Sequence, residues 1–211
     1  MYLSRVKIDQ QNREKMRELS HLGAFHNWVE SSFPEEFKRN TRSRKLWRVD
    51  SFQGNKYLLV VSENKPDTER LEKYGVPGSA ETKCYDHFLE AIEEGRFYQF
   101  RVTLNPVKSL SRGEEQRGRV VPQITTEQMM NYFTSRAESL GFEVLPGNCQ
   151  IVESGWKPFE KKGQKSLYLR SATYEGELRV INKKVFCDTL VKGVGKKKAY
   201  GFGLLTVIPV R

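Results

Sequence analysis

The order in which the hydrophobic period changes along the chain is the strongest constraint on its fold. Tyr2, Ser4, Val6 and Ile8 alternate as on one face of a short strand. Met16, Leu19, Leu22, His26, Val29 and Phe33 then recur at steps of three and four, which predicts a helix over 12–32. Asn12 is placed to cap its start, and Pro34 lies beyond its end. Two strand-like runs follow, 46–50 and 56–62, joined by a turn at Gly54-Asn55. A polar loop with Pro66, Pro77 and Gly78 leads to a short helix over 85–94, ended by Gly95, and then a strand over 96–104. This β-α-β-β-α-β order is the split βαβ, or ferredoxin-like, plan.

The stretch 109–118 is rich in charge, Gly and Ser and reads as a domain boundary. Beyond it, Thr125 and Gln128 form a capping box ahead of Met129, Met130, Phe133, Ala137 and Leu140, with Gly141 at the helix end. Strands are expected at 143–145, 149–153, 167–173, 176–181 and 204–210, with a helix capped by Asn182 and ending near 192–193. The expected fold is α+β, built from two tandem ferredoxin-like units. These are an N-terminal domain over 1–108, a linker over 109–120, and a C-terminal domain over 121–211 that carries a longer hairpin.

A length of 211 residues suits two modest cores. Lys and Arg number 36 against 26 acids, a net charge of +10 that favours a polyanionic partner. The three cysteines, Cys84, Cys149 and Cys187, are far apart and show neither zinc-ligand spacing nor a disulfide framework. No metal site and no cofactor is expected. Neither a signal peptide nor an apolar run of membrane-spanning length is visible, so the chain reads as soluble and cytoplasmic.

The segment from Gly193 to Gly203 concentrates the chemistry. Gly193, Gly195, Gly201 and Gly203 let backbone N–H groups approach a phosphate closely, and Lys196, Lys197 and Lys198 add charge. The pattern is neither a P-loop nor a dinucleotide fingerprint, because its glycines lie between a helix and a strand. On spacing alone it reads equally as a phosphate-binding loop or as a turn with solvated lysines.

The run GVGKKKAYGFGLLTV resembles the C-terminal motif of the CasE family, the CRISPR-associated repeat-processing endoribonucleases of the Cascade complex. Met1-Tyr2-Leu3-Ser4 is similar to that family's first strand. Phe100-Arg101 followed by Asn105-Pro106-Val107-Lys108 is similar to its FR…NPxK segment. His26, with Pro34 eight residues on, matches the region of its catalytic histidine. The resemblance spans the chain and implies tandem ferredoxin-like domains. It also implies metal-independent cleavage of repeat RNA at the base of a stem-loop, retention of the product, and partnership with other Cascade subunits.

RNA cleavage without a metal uses the ribose 2′-hydroxyl as nucleophile, and a histidine near neutral pKa suits the proton transfers. Periodicity alone would make His26 a packed core residue; the resemblance makes it the catalytic one, with His21 as its backup. Some relatives carry a tyrosine three residues before the histidine, where this chain has Gly23. Tyr200 and Lys198 are the chemical candidates to fill that role.

Lys157, Lys161, Lys162, Lys165 and Arg170 read as a basic hairpin, and the resemblance assigns such a hairpin to the stem of the repeat. Arg39 and Arg42 belong to a second basic cluster placed to meet phosphate beside the cut. Both clusters also read as solvated surface charge. The rival function is a subunit that caps an RNA stem-loop without cutting it. A ferredoxin-like protein-interaction module is the third.

Overall fold

In the computed structural model, which describes residues 1–110, 119–160 and 166–210, strand β1 (Tyr2–Lys7) is an inner strand of the first sheet. The chain leaves it through helices α1 (Arg13–Glu18), α2 (Leu22–Ser31) and α3 (Pro34–Lys38). It returns as the hairpin β2 (Lys45–Phe52) and β3 (Asn55–Ser62), whose turn holds Gly54 at a φ of 75°. Helix α4 (Thr68–Leu71) then leads to β4 (Glu81–Cys84). The strand order β2-β3-β1-β4 is ferredoxin-like.

The expected helix over 12–32 is in fact two. Asn12 caps α1 as predicted, accepting from the N–H groups of Glu14 and Lys15. His21 then caps α2, its Nδ1 accepting from the Ala24 N–H at 3.3 Å. The break lets Leu19 turn into the core with Trp28, Val29 and Phe33.

The expected domain limits are corrected by the sheet pairing. Strand β5 (Phe97–Leu104) does not close the first sheet. That place belongs to β4, a short polar strand with no apolar alternation, held by the register Ser4↔Thr82 and by the Ser4–Thr82 hydroxyl contact of 2.9 Å. Tyr98, Phe100, Val102 and Leu104 of β5 instead face the second core. The boundary therefore falls between β4 and β5, across helix α5 (Asp86–Glu90). The stretch expected as a linker contributes to the arms of a ribbon, β6 (Val107–Leu110) paired with β7 (Arg119–Pro122). The remaining positions of that stretch, 111–118, lie outside the described residues.

The second unit continues with α6 (Thr126–Thr134), where the Thr125–Gln128 capping box is present. Strands β8 (Phe142–Glu143), β9 (Cys149–Phe159) and β10 (Leu167–Val180) follow, then α7 (Lys183–Lys192) capped by Asn182, and β11 (Leu205–Pro209). The two strands expected between 167 and 181 are one long strand, and β9 pairs with it over its full length. The order β11-β5-β10-β8 repeats the ferredoxin plan around a core of Phe133, Phe142, Tyr174 and Phe186. The fold is thus α+β with two tandem ferredoxin-like units. Among the described residues no helix is long and apolar enough to cross a membrane.

A third apolar cluster, Leu46, Val61, Tyr85 and Leu204, joins the units. Arg48 of β2 clamps it, donating from Nη1 to the carbonyls of Arg101 and Leu204 at 2.7 Å each and from Nη2 to Thr206 Oγ1 at 2.8 Å. Asp50 balances its charge in a two-pronged pair.

Candidate active site

Helix α2 carries His26 on the face turned toward the second unit. The imidazole is mostly covered and lies 5.1 Å, ring to ring, from Tyr200. Tyr200 in turn packs edge-on against Phe159 of β9 at 4.5 Å. His26 Nε2 is 3.4 Å from Arg42 Nη2. A guanidinium only donates, so this contact is a hydrogen bond in the tautomer whose Nε2 is bare. Nδ1–H then faces Glu30, one helical turn away, whose Oε1 is 4.0 Å distant. Burial, the largest influence, pushes the His26 pKa below its ordinary value. Glu30 and the Ala199 backbone oppose this, while Arg42 and Lys45 add to it. The ring is therefore neutral at pH 7 and able to accept a proton.

Glu30 also ties down Arg42, accepting from its Nε at 3.2 Å. The loop carrying Arg42 is held from below by Glu36. Burial works against the charge on that carboxylate, but hydrogen bonds from Lys45, Ser43 and Asn64 outweigh it and hold the pKa at about 2. An open cleft of about 380 Å³ lies against this arrangement, with His26, Glu30 and Arg42 in its wall.

The glycine segment closes over the same place. Gly201 has φ 80°, and a Cβ there would come within 2.6 Å of the Trp47 ring. Gly203 has φ 88°, and a Cβ there would meet the Val194 carbonyl at 2.3 Å. These glycines, with buried Gly193, fold the segment onto β2, where Trp47 Nε1 donates to the Ala199 carbonyl at 3.0 Å. The expectation that Gly193, Gly201 and Gly203 touch RNA is thereby corrected: they are buried and shape the loop. Gly195, Lys196 and Lys197 remain at the surface. Lys197 lies over Phe159 and Tyr200, at 5.4 and 5.9 Å from the ring centres. Lys198 is committed elsewhere, donating to the Lys192 carbonyl at 2.9 Å, so of the two chemical candidates it is Tyr200 that stands beside His26.

Gly23 has a packing reason. A Cβ at this position would lie 2.4 Å from the carbonyl of Glu160, the residue that follows β9 at the turn end of the β9–β10 hairpin. No tyrosine fits there without moving that hairpin. His21 faces Glu160 at 3.9 Å and serves as a helix cap.

The expected basic hairpin is β9–β10, and its described cations are engaged within the protein. Lys157 pairs with Glu153 at 2.7 Å. Arg170 donates to the carbonyls of Gly155 and Ile124 and lies over Trp156, so it braces the hairpin against α6 and is withdrawn as an RNA contact. Lys161, Lys162 and Lys165 lie outside the described residues. Arg39 ends α3 at the surface, one residue before the loop that carries Arg42. Sequence reasoning passed over Glu30, although its i+4 spacing from His26 on a helix was a usable signal.

The chain thus combines two tandem ferredoxin-like units with a histidine-centred cleft. The sequence matches the family described as CRISPR associated protein over residues 1–209, and the chain belongs to that family. It is 27% identical over 220 residues to the CRISPR-associated endoribonuclease Cse3 of Thermus thermophilus, covering 99% of this chain and 100% of that one. A solved structure of CRISPR endoribonuclease Cse3 bound to a 19 nt RNA superposes with a TM-score of 0.81 at 26% identity, over 99% of both chains. A chain of a CRISPR RNA-guided surveillance complex in a pre-nicking state shares the fold at a TM-score of 0.72 and 18% identity, over 100% of both chains.

Proposed function

We propose that the chain is an endoribonuclease that cuts CRISPR repeat RNA at the base of a stem-loop, without a metal, and retains the product within a surveillance complex. The observation that carries this reading is a mostly covered histidine whose Nε2 lies 3.4 Å from Arg42 Nη2 at an open cleft. In the proposed reaction Nε2 takes the proton of the ribose 2′-hydroxyl. The 2′-oxygen bonds to phosphorus, the P–O5′ bond breaks, and the leaving 5′-oxygen takes a proton from Tyr200 or an imidazolium. The products are a 2′,3′-cyclic phosphate and a 5′-hydroxyl. Arg42, with Lys196 and Lys197 nearby, stabilises the added charge of the pentacoordinate phosphorane.

Positive charge along Arg39, Arg42, Lys196 and Lys197 supports a phosphate path leading to His26. The sequence relationship to an endoribonuclease supports cutting over mere capping. The Gly23 position does not argue for lost catalysis, because its small size is accounted for by the Glu160 carbonyl packed on it.

The test is His26→Ala assayed in EDTA on a stem-loop RNA carrying the repeat of the source organism. Loss of about 10²- to 10⁴-fold in rate with RNA binding retained is expected. Undiminished cutting, or wild-type cutting abolished by EDTA, overturns the respective part of the reading.

A further inference from the structure

The cleft beside His26 has a second wall that proton transfer does not use. Helix α3 turns Glu36 into the protein and Phe37 out, leaving that ring 65% exposed at the rim of the cleft. Asn27, Asn40 and Thr41 line the same space. Among the described residues their side chains make no hydrogen bond. The wall is held in place: Thr41 N–H donates to the Glu36 carbonyl at 2.9 Å, Asn40 N–H to the Phe37 carbonyl at 3.2 Å, and Ser43 to the Glu36 carboxylate. A cleft of about 380 Å³ is at the small end of ligand sites, with room for one nucleotide and none for a stem.

We infer that this wall is a subsite for one unpaired nucleotide flanking the scissile phosphate, with its base stacked on Phe37 and its edges met by Asn27, Asn40 and Thr41. The inference rests on the reading of His26 and Arg42 as the cutting site. An aromatic face beside a guanidinium is the pairing by which proteins hold single-stranded nucleic acid, because every base has a π-face and every linkage a phosphate. Here the cation lining the same cleft is Arg42, already directed toward His26 by Glu30. A preformed wall adds little ordering cost when the base docks. The site thereby selects for a nucleotide that can leave the stem stack, which fixes the cut at the stem's edge.

The experiment uses the repeat stem-loop RNA with a 2′-deoxyribose at the mapped cut, so that it binds uncut. An abasic residue is placed in turn at each nucleotide flanking the cut. In the wild type one of these positions should weaken binding about tenfold. Phe37→Ala should weaken binding of the intact RNA by about the same factor, and the abasic change should then cost nothing more. Phe37→Trp should restore the coupling. An abasic penalty that persists undiminished in Phe37→Ala overturns the subsite. So does normal RNA binding by that variant with loss of assembly with surveillance-complex subunits, which would assign the ring to a protein contact. Because binding is read on uncut RNA, an active His26→Ala enzyme would sink the assignment of His26 and leave this measurement intact.

Discussion

Glu30 connects two groups that the proposed reaction uses together. One oxygen of its carboxylate faces His26 and the other holds Arg42, so it positions both the base and the phosphate cation of that reaction. Its negative charge raises the His26 pKa against the effect of burial. Replacing Glu30 by Gln removes that support, and the His26 pKa falls further below its ordinary value. For a reaction that needs the neutral ring, activity is full above the folded pKa and lost as pH drops through it. The acid limb of the rate profile in Glu30→Gln is therefore expected at lower pH than in the wild type, with kcat about tenfold lower from misplacement and KM little changed. A pH–rate series on both proteins, with NMR titration of His26, checks this; an unmoved limb would leave Glu30 a structural role only. At this scale family resemblance singled out His26, and nothing in the sequence singled out its surroundings. Arg42 and Tyr200 reach it from 16 and 174 residues away in sequence, and no local pattern announces such contacts.

Among the elements, the short helix α3 and the loop after it present the Arg42 side of the cleft, and both depend on Glu36. Four donor groups converge on this one carboxylate: Lys45 Nζ at 2.6 Å, Ser43 Oγ at 2.5 Å, Ser43 N–H at 3.0 Å and Asn64 Nδ2 at 2.9 Å. Glu36→Ala leaves the buried Lys45 ammonium without its main partner and is expected to cost about 3 kcal/mol. The folded pKa of about 2 lies below the ordinary 4.5, so the stabilisation is present above pH 4.5 and disappears as pH falls from there toward 2. Urea unfolding of wild type and Glu36→Gln at pH 7 and near pH 2 checks the sign: the gap between the two proteins should close in acid. The capped elements were readable from sequence, since Asn12, Thr125 and Asn182 each precede a helix by a local hydrogen bond. Strand β4 was not, because Glu-Thr-Lys-Cys at an edge gains its place from pairing to β1 and not from its own periodicity.

For the whole molecule, the two ferredoxin-like units behave as one through Arg48. Its side chain is 3% exposed and satisfies the carbonyls of Arg101 on β5 and of Leu204 just ahead of β11. Arg48→Ala strips Asp50 of its two-pronged partner, leaving it Arg101 Nε at 3.2 Å, and takes a buried donor from the Leu204 carbonyl, so a loss of about 3 kcal/mol is expected, measured by chemical denaturation. The same variant should shift the glycine segment away from His26 and lower cutting more than binding. Retained stability would show that the apolar cluster around Leu46 and Leu204 suffices on its own. The order of elements was legible at this scale, but the partition of β5 was not. A strand that follows a βαββα pattern satisfies the count for the first sheet, and only its alternating Tyr98, Phe100, Val102 and Leu104 facing the second core decides otherwise.

That assignment of β5 bears on how the protein is made. The first sheet is complete in sequence by Cys84, so it can close while the ribosome is still adding the rest. Strand β5 emerges next but must wait for its neighbours: Thr103 meets Thr173 across 70 residues, and Arg101 meets Thr206 across 105. Until β10 is out, the nascent chain carries Phe97-Tyr98-Gln99-Phe100 with both edges unpaired, and one edge stays open until β11 follows, so the second unit pays a loop-closure entropy to form. Completion of the second sheet thus waits for β11, and the strand that closes it also delivers the glycine segment to the histidine.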